Sequence, residues 1–387
     1  MPTSLPLVAA AFQRHFDYAA PLLVRAPGRI NLIGEHTDYN QGFVLPAAID
    51  KEIYFAVGLN GRRDIRLVAH DLDETFATTL DQELAPTNTQ WANYLLGVAA
   101  GLQRRGVALQ GFDCVFGGTV PAGAGLSSSA AVECGLALAL NELLGAGLDR
   151  MTLAHVAQRA EHEFAGVQCG LMDQFASLFG RPGHAVRLDC RSLDYEYFPF
   201  DTSAARIVLC NSGVKHNLAD SEYNTRRREC EQGVALLQEL GHADIQSLRD
   251  VSLPLLEAHQ ASFPETVYRR CRYVVEENRR VELACQHLLA GDLAAFGQQL
   301  YASHAGLRDD YQVSCPELDV LVEAARPLPG VYGARMMGGG FGGCTINLVA
   351  PAHADEFVKQ VGAAYQRRFG RVPETYQTSI VGGVSVG

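Results

Sequence analysis

Between Pro27 and Gly42 the chain reads PGRINLIGEHTDYNQG, which sets Arg29, Glu35, His36, Thr37 and Asp38 within ten residues behind an apolar run. Two carboxylates with a histidine between them suit a sugar, because each carboxylate oxygen can accept from a vicinal hydroxyl. A polar surface turn of ordinary Asp and Asn content would show the same letters. The stretch PAGAGLSSSA, residues 121–130, has a different chemistry: small residues, bare backbone at Gly123 and Gly125, and the hydroxyls of Ser127, Ser128 and Ser129 just ahead of the helix-like run AAVECGLALALNELLG. It lacks the lysine of a Walker loop. Backbone N–H groups and the positive end of the following helix could hold an anion in its place, although a serine cap after a flexible turn fits the same residues. A third stretch, GGGFGGCTINLV (338–349), satisfies G-x-G-x-x-G through Gly338, Gly340 and Gly343. Too little chain follows it for a dinucleotide-binding unit, and CTINLV reads as a strand, so a turn that closes over a substrate or a packing of loop on loop fits better.

Several elements must position these residues. Residues 5–20 have helical spacing, and LLVRAPGRINLIGEH reads as an apolar strand that Pro27 and Gly28 should bend sharply. FVLPAAI, EIYFAVGLN and DIRLVAHD are further strand candidates, 91–106 returns to helix, and GFDCVFGGTV is a strand that delivers the chain into the glycine–serine loop. Helices are expected up to about Gly147 and from about Thr152, followed by CGLMDQFASLFG and two strand-like pieces, HAVRLDC and ARIVLCNSG. Residues 220–302 are mostly helical, and the remainder mixes CPELDVLVEAAR, the glycine cluster with CTINLV, a helix near Asp355–Phe369 and a terminal strand, ETYQTSIVGG. The order is α+β rather than a regular βαβ alternation.

Length and composition narrow the function. A chain of 387 residues, 48% hydrophobic and 19% charged, is a globular protein expected to form two domains. Its formal charge of −11 opposes general binding to nucleic acid or an anionic membrane. The basic run Arg226–Arg228 reads as a solvated helix face or as supporting charge near a phosphate. Ten cysteines without a C-x-x-C pair read as reduced, mostly buried thiols, and the histidines show no metal spacing. The N-terminal stretch lacks a basic n-region and no run of 18 apolar residues occurs, so a cytoplasmic protein with no membrane association is expected.

Together the three stretches resemble the GHMP kinase family: PAGAGLSSSA is similar to its phosphate loop, P-x-x-x-G-L-x-S-S-A, and GGGFGG to its C-terminal glycine motif. Within that family GRINLIGEHTDYN is similar to the galactokinase signature, and the likeness runs in order from about Arg25 to Ala350. It implies that Asp173, in CGLMDQF, is the catalytic aspartate and Arg29 its cationic partner. Glu35, His36, Thr37, Asp38, Gly170 and Tyr223 would line a galactose pocket. Gly123, Ala124, Gly125, Leu126, Ser127, Ser128 and Ser129 would wrap the phosphates of ATP, Trp91 would sit near the adenine, and Ser129 with Glu161 would hold Mg²⁺. The implied fold is α+β in two domains, 1–200 like ribosomal protein S5 domain 2 and 201–387 ferredoxin-like. The implied activity is ATP-dependent phosphorylation of α-D-galactose at the anomeric hydroxyl, the first committed step of galactose catabolism, by a monomer. A kinase of this fold for N-acetylgalactosamine or arabinose, and a non-catalytic galactose and ATP sensor, are the alternatives. Taken singly, Asp173 reads as a helix cap, Glu161 as a surface helix residue, and Tyr223 and Trp91 as core or rim aromatics.

Overall fold

The computed structural model describes residues 3–121, 123–214 and 219–387. In chain order the first half runs α1 (Leu5–Phe16), β1 (Leu22–Asn31), β2 (Phe43–Val44), β3 (Pro46–Leu59), β4 (Asp64–Ala69), β5 (Glu74–Thr79), α2 (Gln90–Arg104), β6 (Phe112–Gly118), α3 (Ser128–Leu143), α4 (Arg150–Ala160), α5 (Met172–Phe179), β7 (His184–Asp189) and β8 (Tyr195–Pro199). The second half runs β9 (Arg206–Asn211), α6 (Ala219–Glu239), α7 (Leu253–Ala258), α8 (Glu265–Leu289), α9 (Leu293–Asp309), α10 (Pro316–Ala325), β10 (Val331–Met336), β11 (Cys344–Val349), α11 (Ala354–Phe369), β12 (Glu374–Thr378) and β13 (Ser385–Val386).

The first half is built on a sheet of order β13-β1-β3-β6-β4-β5. Period-two alternation sends its side chains to opposite faces. Phe55 and Val57 join a core with α2, α3, α4 and α5, whereas Ala56 packs under Val8, Ala11 and Phe12 of α1. The second half carries a sheet of order β10-β11-β9-β12. Ile207, Leu209, Ile346 and Leu348 face Val281 and Leu288 of α8 and Phe296 of α9, while Val208 and Cys210 face Leu321 of α10 and Phe357 of α11. A small sheet of order β2-β7-β8 lies between.

Two expectations change here. Pro27 and Gly28 do not interrupt the strand: β1 is continuous, with a register shift between Pro27 and Arg29. The proline is tolerated because β13 pairs with β1 only at Val24 and Arg25, so no ladder partner is lost on that side. FVLPAAI and EIYFAVGLN belong largely to one 14-residue strand, β3. β5 (ETFATT) and β8 (YEYFP) have no clear apolar alternation, and β13 is only two residues long. Because β13 pairs with β1, the end of the chain returns to the first sheet, across a division placed at residue 200. All ten cysteines are free. Among the described residues no helix is long and apolar enough to cross a membrane.

Candidate active site

A cavity of about 190 Å³ opens where the two halves meet, smaller than the roughly 300–1,000 Å³ of drug-sized pockets. Arg29, Glu35, His36, Asp38, Glu161, Gly170, Asp173 and Tyr223 all line it, together with Val167, Cys169, Met172, Gly338 and Gly339. Residues drawn from sequence positions 29 to 339 therefore converge on one volume.

Arg29 leaves the end of β1 and Asp173 the first turn of α5. They form a two-pronged pair, Nε to Oδ1 at 2.7 Å and Nη2 to Oδ2 at 2.8 Å. Arg29 is 5% exposed. Burial works against its charge, but the carboxylates of Asp173, Glu35 and Asp38 outweigh that and raise its pKa. Asp173 is no helix cap, since Leu171 holds that position in α5. The Ser127 hydroxyl also donates to Asp173 Oδ2. Ser127 thus serves the aspartate, a role that the run of three serines did not separate from phosphate contact.

The glycine–serine loop is tied to β1 by Arg29 N donating to Leu126 O at 3.1 Å and Arg29 Nη1 to Gly125 O at 2.5 Å. Gly123, Gly125 and Ser127 all have positive φ, and the Ser127 side chain caps none of the first N–H groups of α3. Those donors stay available to an anion. Ala124 and Leu126 are buried in the second core, so their backbone rather than their side chains can meet a ligand. Ser128 is half-buried at the start of α3. The glycine cluster packs on this loop: a Cβ on Gly338 would lie 3.8 Å from Gly125 O, and one on Gly343 would lie 3.6 Å from Ala124 O. Loop-on-loop packing is therefore correct, and Gly338 and Gly339 line the cavity besides.

Glu35, 2% exposed, accepts at Oε1 from Gly338 N (2.8 Å) and Arg335 Nη2 (2.9 Å). Among the described residues no donor reaches its Oε2. Arg335 is fully buried and bonds also to Leu32 O at 2.7 Å; its place beside the glycine cluster was the only sequence signal for it. Asp38 accepts from Tyr39 N at 2.9 Å, and burial, then Asp173, push its pKa up to about 7. Gly170 lies against Asp38 so closely that a Cβ there would stand 1.8 Å from Oδ2. Tyr223 of α6 packs on His36 and Tyr39, with ring centroids at 5.3 and 5.2 Å. Thr37 is turned away: its hydroxyl is spent on Gly34 O (2.9 Å) and Phe43 O (2.6 Å), and it fixes the turn. Arg226 is not solvated. It is buried and latches α6 through Tyr311 O (2.8 Å) and Gln312 O (2.9 Å).

Glu161 is buried, contrary to a surface reading, in a five-residue π-helix, Glu161–Ala165, that continues α4. Such turns frequently mark functional sites. Ser129 donates to Glu161 Oε1 at 3.0 Å, and Gln174 Nε2 reaches both Glu161 Oε2 (2.7 Å) and Glu133 Oε2 (3.1 Å). Burial, then Asp173, push Glu161 up to about 7, and Glu133, whose Oε1 has no partner among the described residues, is raised as well, by burial and then Glu161. Buried carboxyls that raise one another's pKa, beside hard oxygen donors, suit a cation such as Mg²⁺. Trp91 stands apart from this cavity. Its ring packs 5.7 Å from Phe116 of β6, the strand leading to the glycine–serine loop, and its N–H donates to Glu74 at 2.5 Å.

This geometry agrees with comparisons to known proteins. Residues 10–59 match the galactokinase galactose-binding signature, residues 93–181 the GHMP kinases N terminal domain, and residues 284–367 the GHMP kinases C terminal domain. A galactokinase of Roseiflexus sp. (strain RS-1) is 45% identical over 373 residues, covering 96% of this chain and 95% of its own. The chain belongs to the galactokinase family. The Homo sapiens galactokinase is 42% identical over 386 residues, covering 97% and 95%. The crystal structure of Lactococcus lactis galactokinase complexed with galactose superposes with a TM-score of 0.94 at 36% identity, over 99% of this chain and 100% of that one. The mevalonate kinase of Methanococcus jannaschii, at TM-score 0.65 and 15% identity, shares the fold. As a galactokinase family member the chain is a kinase with the GHMP fold, and ATP is the phosphoryl donor that this family implies.

Proposed function

We propose that this chain transfers the γ-phosphoryl group of ATP to the anomeric hydroxyl of α-D-galactose, giving galactose 1-phosphate. The observation that carries the reading is the position of Asp173, paired with Arg29 and Ser127 on the floor of a cavity whose other wall is Glu35, His36 and Asp38. Glu35 Oε2 and Asp38 face hydroxyls as acceptors, and Tyr223 packs against the sugar. Asp173 orients the anomeric hydroxyl and takes its proton. An aspartate is a weak base at neutral pH, so the proton passes late, after the bond to the leaving group has loosened. Arg29 and the amides of residues 123–129 face the charge spread over the transferring group. Ser129 and Glu161 would hold Mg²⁺, which neutralises the phosphates. Trp91 would flank the adenine at the approach to the loop. Residues 1–200 and 201–387 act as the two domains around the site, in a cytoplasmic monomer with small-molecule partners.

A coupled assay of ADP release with galactose, N-acetylgalactosamine, arabinose and mevalonate tests this. Turnover should be highest with galactose. Tight galactose binding without turnover on any of the four would leave a sensor, and a preference for another sugar would reassign the substrate.

A further inference from the structure

His36 is enclosed by Tyr39, Tyr223 and Tyr311, with centroids at 5.8, 5.3 and 4.8 Å. Its two ring nitrogens have partners of different kinds. Nε2 lies 3.2 Å from the carbonyl oxygen of Gly339, which can only accept, and Nδ1 lies 2.8 Å from the hydroxyl of Tyr39, which can donate or accept. Burial pushes the ring's pKa down to about 3, so near neutrality it carries a single proton. That proton belongs on Nε2, because the alternative sets a bare lone pair against the Gly339 oxygen. The remaining directions follow in sequence. Tyr39 must donate to Nδ1, so its oxygen accepts from Tyr311 at 2.7 Å. The Tyr311 oxygen then accepts from the thiol of Cys230 at 3.2 Å. Burial raises both phenols and pushes Cys230 up to about 11, so every member stays neutral.

The chain has an anchor at its far end. Cys230 sits on α6, the helix that carries Tyr223, and Arg226 of the same helix grips the carbonyls of Tyr311 and Gln312. The helix that brings Tyr223 to the cavity thus also orders the protons behind His36.

We propose that the Gly339 oxygen sets His36 as its Nε2–H tautomer and that Tyr39 and Tyr311 are positioning residues that hold the ring in it by donating toward Nδ1, so that a hydrogen-bond donor stands in the cavity between the acceptors Glu35 and Asp38. The inference rests on the reading that this cavity holds a sugar. The bond to Gly339 O is long enough for a sugar oxygen to share or take over, and that oxygen is then read as an acceptor. A ring free to exchange tautomers would present a lone pair there for part of the time.

The test is a nitrogen NMR spectrum of protein labelled at the histidine rings, with His36 assigned by its loss in His36→Gln, recorded without ligand. The full-length protein should show a protonated Nε2 and a bare, hydrogen-bonded Nδ1. In Tyr39→Phe, where Gly339 O still holds the proton on Nε2, the Nδ1 signal should move toward that of a lone pair without a hydrogen bond, and KM for galactose should rise about three- to tenfold, the equivalent of one neutral hydrogen bond, with kcat changing less than about twofold. Tyr311→Phe should move both readouts the same way by less, since Tyr39 can still donate, and it carries the test if Tyr39→Phe does not fold. A protonated Nδ1 in the parent protein overturns the proposal, as does a KM change in Tyr39→Phe with the ring signals unmoved, which would mean packing alone. Because the spectrum needs no sugar, failure of the tautomer assignment stays distinct from failure to phosphorylate galactose.

Discussion

On one side of the cavity residues 123–129 offer backbone, and on the other residues 35–38 offer side chains. The first wall holds its shape through positive φ at Gly123, Gly125 and Ser127, and the side chains of Ala124 and Leu126 point away into the core. The second is locked by side-chain bonds: Glu35 to Arg335 and Gly338, His36 to Tyr39, Thr37 to Gly34 and Phe43. An anion needs many weakly directional donors, which bare amides supply. A hexose needs a few donors and acceptors held in one arrangement, which only anchored side chains supply. Substitutions on the two walls should therefore fail in different ways.

Asp173 joins the walls, and the largest effect is expected there. Asp173→Asn should lower kcat by about 10² or more, with galactose affinity changed little. It should also lower the melting temperature, because the buried Arg29 loses its charged partner. Full turnover at a temperature where both proteins are folded would remove Asp173 from the chemistry.

Two glycines then separate the walls. Gly170→Ala places a methyl group 1.8 Å from Asp38 Oδ2, so the carboxylate must move, and kcat/KM for galactose should fall by about 10². Gly125→Ala meets nothing closer than Met337 O at 3.7 Å, but its φ of +73° strains any other residue by roughly 1–2 kcal/mol. KM for ATP should then rise about tenfold while galactose binding without nucleotide is unchanged. If Gly125→Ala weakened sugar and nucleotide equally, the division into two walls would be wrong.

A pH dependence sharpens the phosphate side. Glu161, pushed up to about 7, must give up its proton to hold a cation. The Mg²⁺ concentration for half-maximal rate should be several-fold higher at pH 6 than at pH 8, since the protonated fraction grows below the pKa. Ser129→Ala should raise that concentration at both pH values. A flat Mg²⁺ requirement from pH 6 to pH 8 would take Glu161 out of the metal shell.

The two walls differed in how much of their support the sequence showed. The strand, turn and helix around Gly123, Gly125 and the serines could be read directly because they follow one another in the chain. The turn with Glu35, His36 and Asp38 was equally visible, as were the strands and helices with clear periodicity. What locks that turn was not, because Arg335, Tyr311 and Tyr273, whose hydroxyl donates to Glu35 O at 3.0 Å, lie about 240–300 residues away. Individually they are an arginine and two tyrosines in unremarkable surroundings. The burial of Arg226 was missed for the same reason: beside Glu222 and Glu229 of its own helix, it bonds to the carbonyls of Tyr311 and Gln312, backbone atoms that leave no trace in residue type. The short strands β5, β8 and β13 exist through pairing with neighbours rather than through their own pattern.

The smallest effect is expected in stability, and its sign follows from Asp38. Its pKa in the folded chain, about 7, lies above the ordinary carboxyl value that it has when unfolded. Between those two values the folded chain binds more protons than the unfolded one, so the contribution of Asp38 to stability falls as pH rises toward 7. At pH 8 the group sits ionised beside Asp173, and the sugar wall carries a cost that galactose hydroxyls would relieve. Asp38→Asn removes that charge while keeping an acceptor for Tyr39 N. Relative to the parent, measured without sugar, the variant should gain roughly 1–3 °C in melting temperature on going from pH 5 to pH 8, while its galactose affinity collapses. Equal differences at the two pH values would mean that the carboxyl is solvated, and that the sugar wall is no more strained than the phosphate wall.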